Sequence, residues 1–325
     1  MIPPSKLRGR RHHETKPDGH GALWAVVLAG GEGVRLWPLV RRVCGDERPK
    51  QFCSLFESRT LLRETLDRVG RLIPPERTVV VGMQSHARYQ ASEFGEQPDP
   101  YVLNQPGNRG TAAAVLLAAQ WIEAREPQAT VVFFPSDHFI GEEGVFITRV
   151  AEMVGFVERQ PEWVVLLGVL PSEPETEYGW IEPGEGVGWT GHSPVYRIRR
   201  FREKPSREVA EALFADGCFW NTFIFAGRAA VVLAAGRECS PSLYDRLARL
   251  PAFWASEHER WALHHAYALA PTVNFSQAIL EACSLPLAVL KAPGLTWRDL
   301  GSPERVVKTL AEVGISPPWL AASTA

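Results

Sequence analysis

The sequence predicts an α/β protein with a mostly parallel central sheet and a smaller mixed-sheet portion later in the chain. Three observations predict it. Leu23 to Ala29, Thr130 to Phe134 and Trp163 to Val169 are short runs with no polar alternation, as in strands buried on both faces. Segments of helical period alternate with them, the order expected of crossover units in a parallel sheet. From about residue 178 the pattern changes to three strand-like runs with a helix between the last two, which suggests the mixed portion.

Each element follows from its residues. After a glycine-rich turn, Thr60 to Leu72 carries apolar residues at helical spacing. Thr78 to Val81 is a short β-branched strand and Tyr101 to Leu103 another. Gly110 to Arg125, rich in Ala and Leu, is a helix. The strand Thr130 to Phe134 ends at Pro135-Ser136-Asp137-His138, and Val145 to Val157 is a helix before the strand Trp163 to Val169. Tyr178 to Glu182, Val195 to Glu203 and Trp220 to Ala226 read as strands, with a helix near Arg207 to Ala215. Helical segments lie between about 228 and 283, and a strand spans Leu287 to Leu290. Trp297-Arg298-Asp299-Leu300-Gly301-Ser302 then leads into a helix to about 313. No repeat, low-complexity tract or linker interrupts residues 21–325, so one continuous unit is expected.

Composition bounds the function. The chain has 325 residues, 45% hydrophobic and 22% charged, as expected of a globular protein. A formal net charge of −2 argues against a nucleic-acid-binding surface. No stretch approaches the ~18 apolar residues of a membrane span. Residues 1–20, with three prolines and many charges, read as a disordered tail. Lys6, Arg8, Arg10, Arg11 and Lys16 before an apolar run outline a secretory signal, but the run leads into Glu32 and Arg35 and reads as the first core strand. Cys44, Cys53, Cys218, Cys239 and Cys283 show no C-x-x-C spacing and read as reduced thiols of a cytoplasmic protein, neither a disulfide framework nor a zinc site.

In open α/β sheets ligands bind beyond the carboxyl ends of strands. Two suggestive segments lie at such ends. The first is Leu28-Ala29-Gly30-Gly31-Glu32-Gly33-Val34-Arg35-Leu36-Trp37-Pro38-Leu39, followed by Arg48-Pro49-Lys50-Gln51-Phe52. Glycines have no Cβ to hold a phosphate away from the backbone N–H groups, and Arg35 and Lys50 could neutralise its charge. A P-loop is excluded because no Gly-Lys pair exists, and the dinucleotide fingerprint because its third glycine would fall on Leu36. The second segment ends at Asp137. Asp137 alone could equally be a turn or helix cap, and Asp299 could cap the helix near Ser302.

Taken in order, G-G-x-G-x-R-L-x-P-L with a following P-K-Q resembles the signature of sugar-1-phosphate nucleotidyltransferases, the nucleotide-sugar pyrophosphorylases. The Pro135-Ser136-Asp137-His138 turn and the late Trp297-Arg298-Asp299-Leu300-Gly301-Ser302 segment resemble that family too. The resemblance implies a Rossmann-like sheet of the nucleotide-diphospho-sugar transferase type. It implies Mg²⁺ held by Asp137 and Asp299, and Mg²⁺ needs no more than one or two carboxylates besides phosphate oxygens and waters. Asn104-Gln105-Pro106-Gly107-Asn108-Arg109-Gly110-Thr111-Ala112 resembles the family's E-P-x-G-R-N-T-A base-reading loop, with Gln105 replacing Glu and with Asn108 and Gly110 interchanged. By resemblance the NTP site comprises Leu28, Ala29, Gly30, Gly31, Gly33, Arg35, Lys50, Gln105, Gly110 and Thr111 within residues 21–175, with Arg35, Lys50 and Asp137 catalytic.

Residues 176–325 would take the sugar phosphate. Glu175-Thr176-Glu177-Tyr178-Gly179-Trp180-Ile181, Arg202-Glu203-Lys204-Pro205 and Phe219-Trp220-Asn221-Thr222 resemble the E-T-G-Y-G-Y-I, V-E-K-P and L-W-N-S segments of mannose-1-phosphate guanylyltransferases. The resemblance puts Tyr178, Gly179, Glu203, Lys204 and Asn221 on the sugar phosphate. Glu-Lys-Pro is also an ordinary surface turn, and Trp220 an ordinary core residue. Glu177 and Phe223 stand where the family has glycines, and Ser276 stands at the Asp of an I-D-Y-A-V-M-E segment. The 325 residues end without the cupin-like isomerase domain of bifunctional relatives.

The chemistry implied is in-line attack of a sugar-1-phosphate oxygen on the α-phosphate of GTP, with pyrophosphate leaving. A phosphate monoester has its second pKa near ~6 and is mostly dianionic at neutral pH, so no general base is required. UTP or dTTP with a glucose-type phosphate is the alternative of the same class. A non-catalytic sugar-nucleotide-binding regulator is the alternative from another class. The expected partners are GTP and a hexose-1-phosphate, with no nucleic acid, no membrane and room for a homodimer.

Overall fold

The computed structural model describes residues 22–94, 100–191 and 193–321. The expected disordered tail lies outside them. The strands are β1 (Leu23–Leu28), β2 (Thr78–Met83), β3 (Tyr101–Gln105), β4 (Thr130–Pro135), β5 (His138–Ile140), β6 (Val164–Val169), β7 (Gly179–Thr190), β8 (Ser193–Glu203), β9 (Phe219–Arg228), β10 (Leu287–Lys291) and β11 (Trp297–Asp299). Among the described residues, nine of them form one sheet in the order β3-β2-β1-β4-β9-β6-β10-β8-β7. All but β8 and β9 run the same way, so the sheet is mostly parallel in direction. The mixed portion is not a separate sheet: β9 inserts between β4 and β6, and β7 and β8 form the far edge.

The helices are α1 (Trp37–Cys44), α2 (Leu61–Val69), α3 (Ala87–Glu93), α4 (Gly110–Glu123), α5 (Glu143–Arg159), α6 (Arg207–Ala215), α7 (Ala229–Cys239), α8 (Pro241–Leu247), α9 (Glu259–Leu269), α10 (Pro303–Val313) and α11 (Pro318–Ala321). They cover both faces of the sheet. Trp24 and Val26 of β1 face a core shared with α4, α7, α8 and α9, while Ala25 and Val27 face a core shared with α2, α5 and α6. The alternation explains why these strands carry no polar residues. Burying each such Val or Leu contributes roughly 1.5–3 kcal/mol. A third cluster, with Leu36, Leu39, Val40, Phe56, Val306 and Leu310, packs α1 and α10 together behind the glycine turn.

The local signals act as their chemistry requires. Thr60, Ser206 and Ser302 cap α2, α6 and α10 by accepting hydrogen bonds from backbone N–H groups in the first turn. The cap of α10 is therefore Ser302, which leaves Asp299 free for another task. One reading of the cysteines is corrected. Cys239 and Cys283 form a disulfide, their Cα atoms 5.8 Å apart. They stand at the end of α7 and just beyond a π-helical segment, Ser276–Glu281. Sequence spacing cannot show that packing, which places two residues 44 positions apart side by side.

Candidate active site

The glycine turn leaves β1 at the carboxyl edge of the sheet. Gly33 adopts φ +64°, and a Cβ there would press on the Lys50 backbone at 3.2 Å, so only glycine lets the two segments meet. Gln51 holds the turn from behind. Its buried side-chain amide donates to the Ala29 and Gly31 carbonyls at 2.9 and 3.0 Å. This fastening function of Gln51 was not legible in the P-K-Q string, because it depends on where the Lys50–Phe52 turn packs.

The two aspartates meet through a small second sheet. β11 pairs antiparallel with β5, and Asp299 lies opposite His138 in register. The Lys50 ammonium lies 3.3 Å from Asp137 Oδ2 and 3.4 Å from Asp299 Oδ1, and it donates to the Leu300 carbonyl at 3.0 Å. Burial disfavours the Lys50 charge, but the two carboxylates outweigh it and hold the amine above its ordinary range. Burial likewise pushes Asp299 up, yet Lys50 and its neighbours hold it below the usual carboxylate range. Arg305 adds a contact of 3.5 Å to Asp299 while gripping Glu175.

His138 completes this floor. Its Nδ1 accepts from Trp297 Nε1 at 3.2 Å, so the Nε2 nitrogen carries the proton in the neutral ring. Nε2 lies 3.8 Å from an oxygen of each aspartate. Burial keeps the imidazole below its ordinary pKa. A protonated Nε2 cannot ligate a metal, so His138 braces the carboxylates instead. With His138 neutral, the carboxylates of Asp137, Asp299 and Glu175 against Lys50 and Arg305 leave a net negative charge, and such a donor set fits a divalent cation that takes few protein ligands.

The wall above carries the remaining residues. Gln105 Oε1 accepts from the buried Tyr267 hydroxyl at 3.1 Å, and its amide donates to the Gly82 carbonyl at 3.3 Å. Gly110 adopts φ +78°, supported by Asn108 Oδ1, and a Cβ there would strike the Val273 backbone. Gly110→Ala is therefore expected to cost about 3 kcal/mol of stability in denaturant unfolding, from strain and overpacking together. Arg109 turns away and donates to the Tyr267 and Ala268 carbonyls. On the opposite wall, Gly179 fits against Glu203 and Asn221, where a Cβ would come within 2.9 and 3.3 Å. Phe223 adopts φ +59°, which explains why a glycine would suit its position. Asn221 Oδ1 accepts from the Phe223 N–H at 3.1 Å and secures the bend.

One cleft of about 600 Å³ gathers these parts. Leu28, Gly30, Gly31, Arg35, Gln105, Gly110, Thr111, Asp137, Tyr178, Gly179, Glu203, Lys204, Asn221 and Asp299 all line it. Ala29, Gly33 and Lys50 do not: Ala29 is buried in the strand end, and Lys50 lies beneath the floor at 8% exposure. Glu177, Phe223 and Ser276, the departures from the family pattern, also line the cleft. Glu177 reaches both Arg35 at 3.2 Å and Lys204 at 3.8 Å. Trp297 and Tyr267 are among the residues that sequence reasoning missed, since each acts by orienting a neighbour.

Fold and cleft define a class: an α/β protein with a cleft at the carboxyl ends of parallel strands, where open α/β sheets take their ligands. Comparison with known proteins narrows it. Residues 24–313 match the family model described as nucleotidyl transferase. A mannose-1-phosphate guanylyltransferase from Klebsiella pneumoniae is 31% identical over 289 residues, 86% of this chain and 58% of that protein. The xanthan biosynthesis protein XanB of Xanthomonas campestris pv. campestris (strain B100) is 30% identical over 282 residues, covering 85% and 57%. A solved mannose-1-phosphate geranyltransferase from Thermus thermophilus superposes with a TM-score of 0.75 at 33% identity, covering 91% of this chain and 80% of that one. The chain belongs to the nucleotidyl transferase family. Sugar nucleotidyltransferases generally use a divalent metal. The chain spans 58% of the length of the first of these curated relatives. Among the described residues no helix is long and apolar enough to cross a membrane.

Proposed function

We propose that this protein joins a hexose-1-phosphate, mannose-1-phosphate first, to a nucleoside triphosphate, GTP first, giving a nucleotide sugar and pyrophosphate. The observation that carries the reading is one cleft with the glycine turn on one wall, Lys204 and Asn221 on the other, and Asp137 with Asp299 between them. The Gly30–Gly31 backbone and Arg35 would receive the triphosphate, and Gln105 would meet the base, its amide already oriented by Tyr267. Lys204 would pair with the sugar phosphate, and Glu203, Gly179 and Asn221 would contact the sugar. Mg²⁺ on Asp137 and Asp299 would neutralise charge on the reacting phosphates when bound. The protein's own work is alignment and charge: it holds two anions end to end, so that the dianionic sugar phosphate attacks without a base. Lys50 acts from below, pairing with both carboxylates and holding Asp299 in its charged form. The names of relatives in xanthan and alginate synthesis support a place in polysaccharide precursor supply. A homodimer, which the resemblance allows, is checked by light scattering.

A pyrophosphate-release screen of four NTPs against several hexose-1-phosphates tests the substrates. GTP with mannose-1-phosphate should lead it. Preference for UTP or dTTP with glucose-1-phosphate would replace that pair, and Ser276, Phe223 and Glu177 would be the residues to exchange first. Lys204→Ala should raise the KM for sugar phosphate by about tenfold to a hundredfold, the worth of one charge-assisted contact. An effect confined to the KM for NTP would reverse the two subsites.

A further inference from the structure

Cys44 and Cys53 take no part in the chemistry above, yet their sulfur atoms lie 2.7 Å apart. Cys44 ends α1, the helix that follows the glycine turn, and is half-buried. Cys53 is fully buried and closes the turn Lys50–Phe52, its N–H donating to the Lys50 carbonyl at 3.0 Å. Arg48 lies between them in sequence, clamped by Asp46 through bonds of 2.7 and 3.0 Å. The hydrogen bond from Cys53, aided by Arg48, lowers the Cys44 pKa to about 7, while the same pairing and burial push Cys53 up. Attack by one accessible thiolate, resolved by a buried neighbour, is the division of labour that dithiol exchange requires.

We propose that Cys44 and Cys53 are a reversible thiol–disulfide site whose oxidant is a small disulfide such as glutathione disulfide. The Cys44 thiolate attacks one glutathione sulfur, forming a mixed disulfide and expelling a glutathione thiolate. Cys53 then gives up its proton and attacks Cys44 Sγ, expelling the second glutathione. Two thiols become one protein disulfide, and one glutathione disulfide becomes two glutathiones. A disulfide needs sulfurs about 2.05 Å apart, so little movement separates the two states. The bond joins α1 to the turn carrying Lys50 without pulling Lys50 off the aspartates. It is a staple for the cation-bearing segment rather than an off switch, and it is independent of the proposed substrates. It is also distinct from Cys239–Cys283, which is already bonded.

The test uses the full chain with Cys239–Cys283 intact, moved from reduced to oxidised glutathione. Maleimide-reactive thiols under denaturation should fall from three (Cys44, Cys53 and Cys218) to one. Peptide mapping should show Cys44 joined to Cys53. Closing so short a loop should raise Tm by about 4 °C. Cys53→Ser should accumulate a glutathione adduct at Cys44, and Cys44→Ser should show neither adduct at Cys53 nor a shift in Tm. Three thiols persisting in oxidised glutathione, or Cys218 reacting as readily as Cys44, would overturn the proposal, and the wild-type map alone decides this if a variant fails to fold.

Discussion

Lys50→Met is expected to cost about 3–5 kcal/mol of folding stability, because it leaves two carboxylates in a half-dry site without their shared cation. The side chain is about the right size, so packing is spared and the loss is electrostatic. Lys50 contacts Asp137 and Asp299 at 3.3 and 3.4 Å with its own side chain 10% exposed. Each contact gains of order 4–5 kcal/mol at an intermediate dielectric, set against the cost of burying the charges. The pH dependence follows from the directions of the shifts. Asp299 is held low, so its contribution is present above the ordinary carboxylate pKa and is lost as pH falls through its folded value. Lys50 is held high, so its contribution is present below its ordinary pKa of 10.5 and fades as pH rises through the folded value. The gap between wild type and variant in urea unfolding should be widest across neutral pH. It should narrow below about pH 4, where carboxylates take up protons. A gap that stays constant from pH 3 to pH 8 would mean that Lys50 acts by packing alone.

The largest effect on activity is expected for Asp137→Asn, which should lower turnover by about a thousandfold, equivalent to roughly 4 kcal/mol of transition-state stabilisation. The substitution keeps shape and removes one negative charge from the floor. The fold should survive, because Lys50 retains Asp299 and the Leu300 carbonyl as partners. The readout is pyrophosphate release across a range of divalent-metal concentrations, beside circular dichroism and Tm. Weakened metal dependence with a retained fold and a cooperative transition supports the assigned role. Wild-type turnover at limiting metal would remove Asp137 from the chemistry, whatever the fold.

Much of the frame was legible beforehand. The all-apolar runs at β1, β4 and β6 lie inside the sheet because both faces are covered, and that burial forces their composition. The helices that start near 60, 207 and 303 were read from their residues, and the hydroxyls of Thr60, Ser206 and Ser302 cap them in the structure. Asp299 was harder. Nothing near it in sequence distinguishes a helix cap from a site carboxylate, and only the pairing of β11 with β5 brings it beside His138. Lys50 was read as a cation for the phosphates, and the sequence held no sign that its ammonium lies against the two aspartates. Gln51, Tyr267 and Trp297 were missed for a common reason: each acts on partners far away in sequence.

By itself, then, the sequence determined the class of fold, the glycine turn at the end of the first strand, and the family whose motifs those residues resemble. These are local properties, written in spacing, side-chain volume and the absence of a Cβ at Gly33. Only the tertiary structure decided which charges share a cation, which tautomer His138 holds, and which cysteines meet. Electrostatic and covalent partnerships depend on distances of a few ångströms across the fold, and positions along the chain leave those distances open until the sheet has closed them.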